Sequence, residues 1–195
     1  MTNFNTRNHL KNALTTLDSL PAMPVIAQKL LALRLDTDEG EAQLLALIEQ
    51  DPQITAKLIG LVNSPMMGVS RPVSTISGAA MLLGMTKVKA VAIGIATMSG
   101  FAKTPHQPHF RPQDLWQHSI TIAIIMHTVA LCMPSRLRPH EDQIFLAGLL
   151  HDIGYMALHH LDSAASNELH HLLHTQPKRN VTEIELEVLG MTHGY

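Results

Sequence analysis

Cysteine is nearly missing: the 195 residues contain one, Cys132. Without a second thiol no intramolecular disulfide forms, and thiolates cannot build a metal site, which suits a reducing cytosol. Charge of one sign is missing too. Lys and Arg number 14 against 16 Asp and Glu, for a formal net charge of −2, with no block of like charges. A nucleic-acid stripe and a polybasic membrane segment are therefore not expected. Long hydrophobic runs are absent as well. The longest uncharged stretches, 90–102 and 119–135, fall short of the roughly 20 apolar residues of a spanning helix, and the polar start, residues 1–12, does not resemble a secretory leader. What is present is 46% apolar sequence, enough to bury a core in one domain or two small lobes. We read a folded, cytoplasmic protein.

Apolar positions recur with a helical period. Ile26, Leu30 and Leu33 form one stripe and Leu44, Leu45 and Ile48 another. Asp51 before Pro52 marks a helix start, the carboxylate accepting free amides while Pro loses nothing at the first helical position. That helix carries Ile54, Leu58, Leu61 and Val62 and stops at Asn63, Ser64 and Pro65. The spacing then predicts a loop over 65–74, a helix over about 75–83 broken by Gly84, and another over about 86–102. Pro105, Pro108 and Pro112, interspersed with His106 and His109, mark a connector. After it come helices over about 113–133 and from about 141 into 158, one capped by Asp162 that carries His170, His171 and His174, and a last one in which Thr182 and Glu185 have capping-box spacing. No segment alternates as a strand does.

Histidine is the compositional oddity. Ten of the 13 lie from His118 onward, a reason to look for a metal site there. His118 stands in the first turns of one helix, and His151 and Asp152 are adjacent in Phe145-Leu-Ala-Gly-Leu-Leu-His-Asp-Ile-Gly154. Imidazole with carboxylate is a donor mix that divalent Fe, Mn, Zn or Ni accepts. Adjacent His and Asp on a continuous helix point about 100° apart, so both reach one ion only if the helix meets it obliquely. Gly148 and Gly154 would let a neighbouring helix approach and bring His118 across. Trp116 and the methionines, Met66, Met67, Met81, Met85 and Met98 among them, are expected to fill the core. Arg71, Lys87 and Lys89 are expected to be solvated charges.

Leu115-Trp-Gln-His-Ser119 followed by Ala147-Gly-Leu-Leu-His-Asp-Ile-Gly154 resembles the HD superfamily of metal-dependent phosphohydrolases. Leu20-Pro-Ala-Met-Pro24, the stretch from Ile48 to Leu58, Val62-Asn-Ser-Pro65 and the Ile76 to Gly84 segment narrow the likeness to an HDOD domain, a bacterial signalling module related to HD-GYP phosphodiesterases. The resemblance implies an all-α, two-lobe helical bundle, with an N-terminal lobe over residues 1–105 and an HD-like lobe over 111–195 that looks truncated at its C-terminus. It implies His118 and His151 as metal ligands and Asp152 as a ligand able to bridge two metals, with a further Asp due on a later helix. The chain ends soon after Glu187 and His193, and His193-Gly-Tyr195 is not the HD-GYP signature.

A buried polar network inherited from an enzyme ancestor is the alternative account of His118, His151 and Asp152. His170, His171 and His174 read as a solvated helix face, with extension toward a second metal as the alternative. The expected function is a regulatory, non-catalytic module that binds a signalling protein, with no confident catalytic residue, a divalent transition metal as the only cofactor in view, and a homodimer as one way to hide apolar surface. A metal-dependent phosphohydrolase of nucleotides or cyclic dinucleotides is the runner-up. Nucleic acid and membrane are not expected partners.

Overall fold

The computed structural model describes residues 20–101 and 107–193; residues 1–19, 102–106, 194 and 195 lie outside the described residues. All regular elements among the described residues are helical, as the periodicity predicts. In order they are α1 (Val25–Ala32), α2 (Asp38–Glu49), α3 (Pro52–Val62), α4 (Ile76–Leu83), α5 (Met85–Ser99), α6 (Pro112–Cys132), α7 (Glu141–Leu150), α8 (Ile153–Leu161), α9 (Ser163–Thr175) and α10 (Val181–Val188), with 3₁₀ turns at Pro65–Met67 and Ser135–Leu137.

Caps fix many of the starts. Asp51 Oδ1 accepts from the amides of Gln53 and Ile54 at 2.9 and 3.0 Å, Thr75 Oγ1 from Gly78 at 3.0 Å, and Asp162 Oδ1 from Ala165 at 2.9 Å. The start of α10 differs from expectation. Asn180 is its cap, accepting from the Thr182 amide at 2.9 Å, and Glu185 turns inward instead of closing a capping box.

The helices gather into two compact units, one of Met23–Ser99 with Ile120–Leu150, the other of the described residues among 20–22, 100–119 and 151–193. Grouped by contact in this way, the units run out of chain order. The reason lies in packing: α7 lies on α5, and a Cβ on Gly148 would stand 2.5 Å from the Ala123 Cα, so α6 and α7 meet backbone to backbone.

In the first unit α5 is buried from Ala90 through Ala96, because it is apolar all round and α1, α3, α4 and α7 pack on it. Leu30, Leu44, Ile48, Leu58 and Ile95 fill this core, each contributing about 1.5–3 kcal/mol by leaving water. Asn63 clamps the loop after α3, its Nδ2 donating to the Val73 carbonyl at 2.7 Å and its Oδ1 accepting the Val73 amide at 2.8 Å. Lys89 is not a solvated charge; its Nζ donates to the Leu33 carbonyl at 2.6 Å, just past the end of α1. Met66 and Met81 are exposed, Met81 by 87%, rather than core fillers.

In the second unit α9 packs against α8 and α10. Phe110 is buried between the rings of His159 and His170, 4.6 Å from each, and the His109 amide donates to Asn167 Oδ1 at 3.0 Å. The described part of the proline-marked segment is thus packed within its own unit. α6 runs 21 residues and by length and composition could cross a membrane, longer than the uncharged run suggested because it takes in the polar turns from Pro112 to His118. Ile120 and Ala123 on it are buried.

Candidate metal centre

His118 comes from α6, and His151 and Asp152 from the break between α7 and α8. This break corrects the single helix expected from 141 into 158. Asp152 sits at φ −106°, ψ 17°, outside the helical pair of values, so its side chain is released from the 100° divergence that a continuous helix would impose. Adjacent residues can then face one point.

They do so, within the second unit. His118 Nε2 lies 3.3 Å from His151 Nε2 and 3.2 Å from Asp152 Oδ2, and His151 Nε2 lies 3.1 Å from the same oxygen. All three potential ligand atoms fall within 4.8 Å of one another. Neighbouring donors around a first-row divalent ion stand about 3.0 Å apart in an octahedron and about 3.4 Å in a tetrahedron, for bonds near 2.1 Å. The triangle fits that spacing. A hydrogen-bonded network fits less well: if both Nε2 atoms donate to Asp152, two N–H groups confront each other at 3.3 Å. The His118 and His151 side chains are 50% and 33% exposed and Asp152 only 12%, so the histidines keep access to solvent while the carboxylate is held.

The other oxygen of Asp152 faces a residue that sequence reasoning passed over. Asp152 Oδ1 is 3.4 Å from His193 Nε2, and His193 Nδ1 is 2.6 Å from Glu185 Oε1. Glu185 is fully buried and also accepts from Tyr155 Oη at 2.5 Å. Burial, then the Glu185 carboxylate, push the Tyr155 hydroxyl far above its ordinary range, so it stays protonated and donates. The expected later Asp is not what meets Asp152 here. Local sequence gave little sign of this, since Glu185 at i+3 from Thr182 mimics a helix cap and His193 follows a turn.

His170, His171 and His174 do not join the triangle. His170 is half-buried, its Nδ1 2.7 Å from the Ser166 carbonyl and its ring against Phe110 and Tyr155, which corrects its reading as a solvated residue. Burial pushes its pKa below the usual value, against the opposing pull of the Ser166 carbonyl. His171 is exposed, its ring tilted against that of His109 with 4.6 Å between centroids. Arg111, just before α6, is engaged with Asp114 at 2.6 Å.

Fold and site together define an all-helical protein with a His/Asp donor cluster at a helix break. The sequence model of the HDOD domain matches residues 20–195, and the chain belongs to that family. Among solved structures it is similar to an HDOD domain protein of unknown function from Geobacter sulfurreducens, at 25% identity and TM-score 0.72, over 97% of this chain and 62% of the other. It is similar to a predicted phosphohydrolase from Shewanella amazonensis, at 25% identity and TM-score 0.66, over 92% and 61%. It also shares its fold with a predicted signal transduction protein from Marinobacter aquaeolei, at 24% identity and TM-score 0.74, over 99% and 45%. The chain therefore spans about three fifths of the first two and under half of the third. No curated protein matches.

Proposed function

We propose that this chain is a cytoplasmic signal-transduction module that holds a divalent transition metal, Fe, Mn, Zn or Ni, at His118, His151 and Asp152, and that it acts by binding a signalling protein rather than by turnover. The observation that carries the metal reading is the triangle of donor atoms with sides of 3.1 to 3.3 Å. Family membership supports the regulatory reading, and Ile125, Val129 and Leu131 offer exposed apolar surface on α6 for protein contact. A second copy of the chain is the other candidate partner, and light scattering at rising concentration separates the two.

A metal-dependent phosphohydrolase is the second reading, favoured by the half-exposed histidines, which leave the donor cluster open on one side as catalytic sites require. A divalent ion bound there supplies Lewis acidity toward a phosphoryl group. His118, His151 and Asp152 would hold it, and the buried flank of Asp152 would limit water from that direction. The test is hydrolysis of bis-p-nitrophenyl phosphate and of a cyclic dinucleotide by metal-loaded protein. No turnover above the Asp152→Ala background supports the regulatory reading; turnover that Asp152→Ala abolishes in a folded protein overturns it in favour of the enzyme.

A further inference from the structure

The chain from Gln107 to Phe110 runs along one face of α9. Ser163, Asn167 and His171 recur every fourth residue, and residues so spaced line one side of a helix. Gln107 Nε2 donates to Ser163 Oγ at 3.2 Å, and the His109 amide donates to Asn167 Oδ1 at 3.0 Å. Phe110 anchors the next position, buried between the rings of His159 and His170. With the backbone held on either side, His109 delivers its ring to the following turn of α9, where His171 stands.

The two rings lie 4.6 Å apart between centroids and are inclined by 49°. The rings of His118 and His151, whose Nε2 atoms converge, stand in nearly the same relation, 5.2 Å and 46°. Two imidazoles on one ion, with metal–nitrogen bonds of about 2.1 Å, place their centroids about 4.5–5.2 Å apart for right-angled to tetrahedral coordination. His109 and His171 fall in that interval. Both are exposed, and no ring nitrogen of either has a hydrogen-bond partner among the described residues. The terminal torsion of a histidine is broad, so each ring turns one nitrogen toward a shared point at small cost.

We propose that His109 and His171 form a second site for a divalent ion that prefers nitrogen: Ni²⁺, Cu²⁺ or Zn²⁺. Imidazole without carboxylate suits these ions, whereas Mn²⁺, Mg²⁺ and Ca²⁺ favour oxygen, so the pair differs from the triangle in what it takes. Asn167 is a positioning residue that holds His109 by its backbone. The ion clasps the segment before α6 to α9. With two protein donors and water completing its shell it exchanges with solution, so the site fills when the ion is supplied and empties on dialysis. The inference does not depend on the metal reading of His118, His151 and Asp152.

The test titrates the full chain, free of any affinity tag, with Ni²⁺ and with Mn²⁺ by calorimetry, and with Zn²⁺ by following the imidazole C–H signals in NMR. The wild type is expected to show a Ni²⁺-binding event that Mn²⁺ does not reproduce. His109→Ala and His171→Ala should each abolish that event, and Asn167→Ala should weaken it although it removes no donor. The event should persist in the double variant His151→Ala with Asp152→Ala, which separates the pair from the triangle. If that double variant does not fold, the comparison of wild type with His171→Ala, both with the triangle intact, carries the test. Zn²⁺ should move the His109 and His171 signals along one isotherm. A Ni²⁺ event unchanged in His171→Ala overturns the proposal by placing the ion elsewhere. Signals that follow separate isotherms overturn it by showing two independent rings, and a wild type with no binding event outside the triangle overturns it outright.

Discussion

Asp152 has one oxygen shared by His118 and His151 and the other turned to His193, so no other side chain of the cluster touches as many donors. Asp152→Asn keeps the shape and removes the charge. It should lower metal affinity by more than about 100-fold, beyond the cost of an outer partner, as read by calorimetry with Mn²⁺. Tyr155→Phe takes a donor from a buried carboxylate and should cost about 1.5–3 kcal/mol of stability in urea unfolding, the range for hydrogen bonds to charged groups. His170 makes a prediction in pH. Burial holds its folded pKa below the ordinary 6.5, so the folded chain binds its proton less readily than the unfolded chain. Its contribution is complete above about pH 6.5 and is lost as pH falls through that value toward the folded pKa. The melting temperature of the wild type should drop across that window more than that of His170→Gln; parallel curves would refute this.

At the scale of elements, what could be read in advance had local causes. The start at Asp51 and Pro52, the end at Asn63 and the break at Gly84 each follow from one or two residues whose backbone or side-chain chemistry acts within a turn. Asp51→Ala should therefore cost about 1 kcal/mol, and Leu58→Ala about 2–5 kcal/mol, both measured by denaturant unfolding. What could not be read depends on distant partners. Nothing between Leu149 and Ile153 forbids a continuous helix, and the break at His151 and Asp152 accompanies contacts made by α6 and by the segment after α10. Glu185 satisfied a local rule, the capping box, and was used for a tertiary contact instead. His118, His151 and Asp152 stood out as candidate donors by type and by family likeness; the approach of His193 to Asp152 did not, because it depends on Gly154 and on the turn at Gly190.

At the scale of the whole molecule, the periodicity and the motifs disclosed an all-helical HDOD protein. Within one unit α7 packs on α5 and meets α6 backbone to backbone where Gly148 faces Ala123. The donor triangle lies wholly within the other unit, along with Tyr155, Glu185 and His193. Its convergence is the claim on which the functional account stands. Elemental analysis of purified wild type beside the double variant His151→Ala with Asp152→Ala tests that claim most directly. The account predicts close to one Fe, Mn, Zn or Ni per chain in the wild type and none in the variant. Metal-free wild type that stays so after incubation with each ion, or equal metal in both proteins, would contradict it.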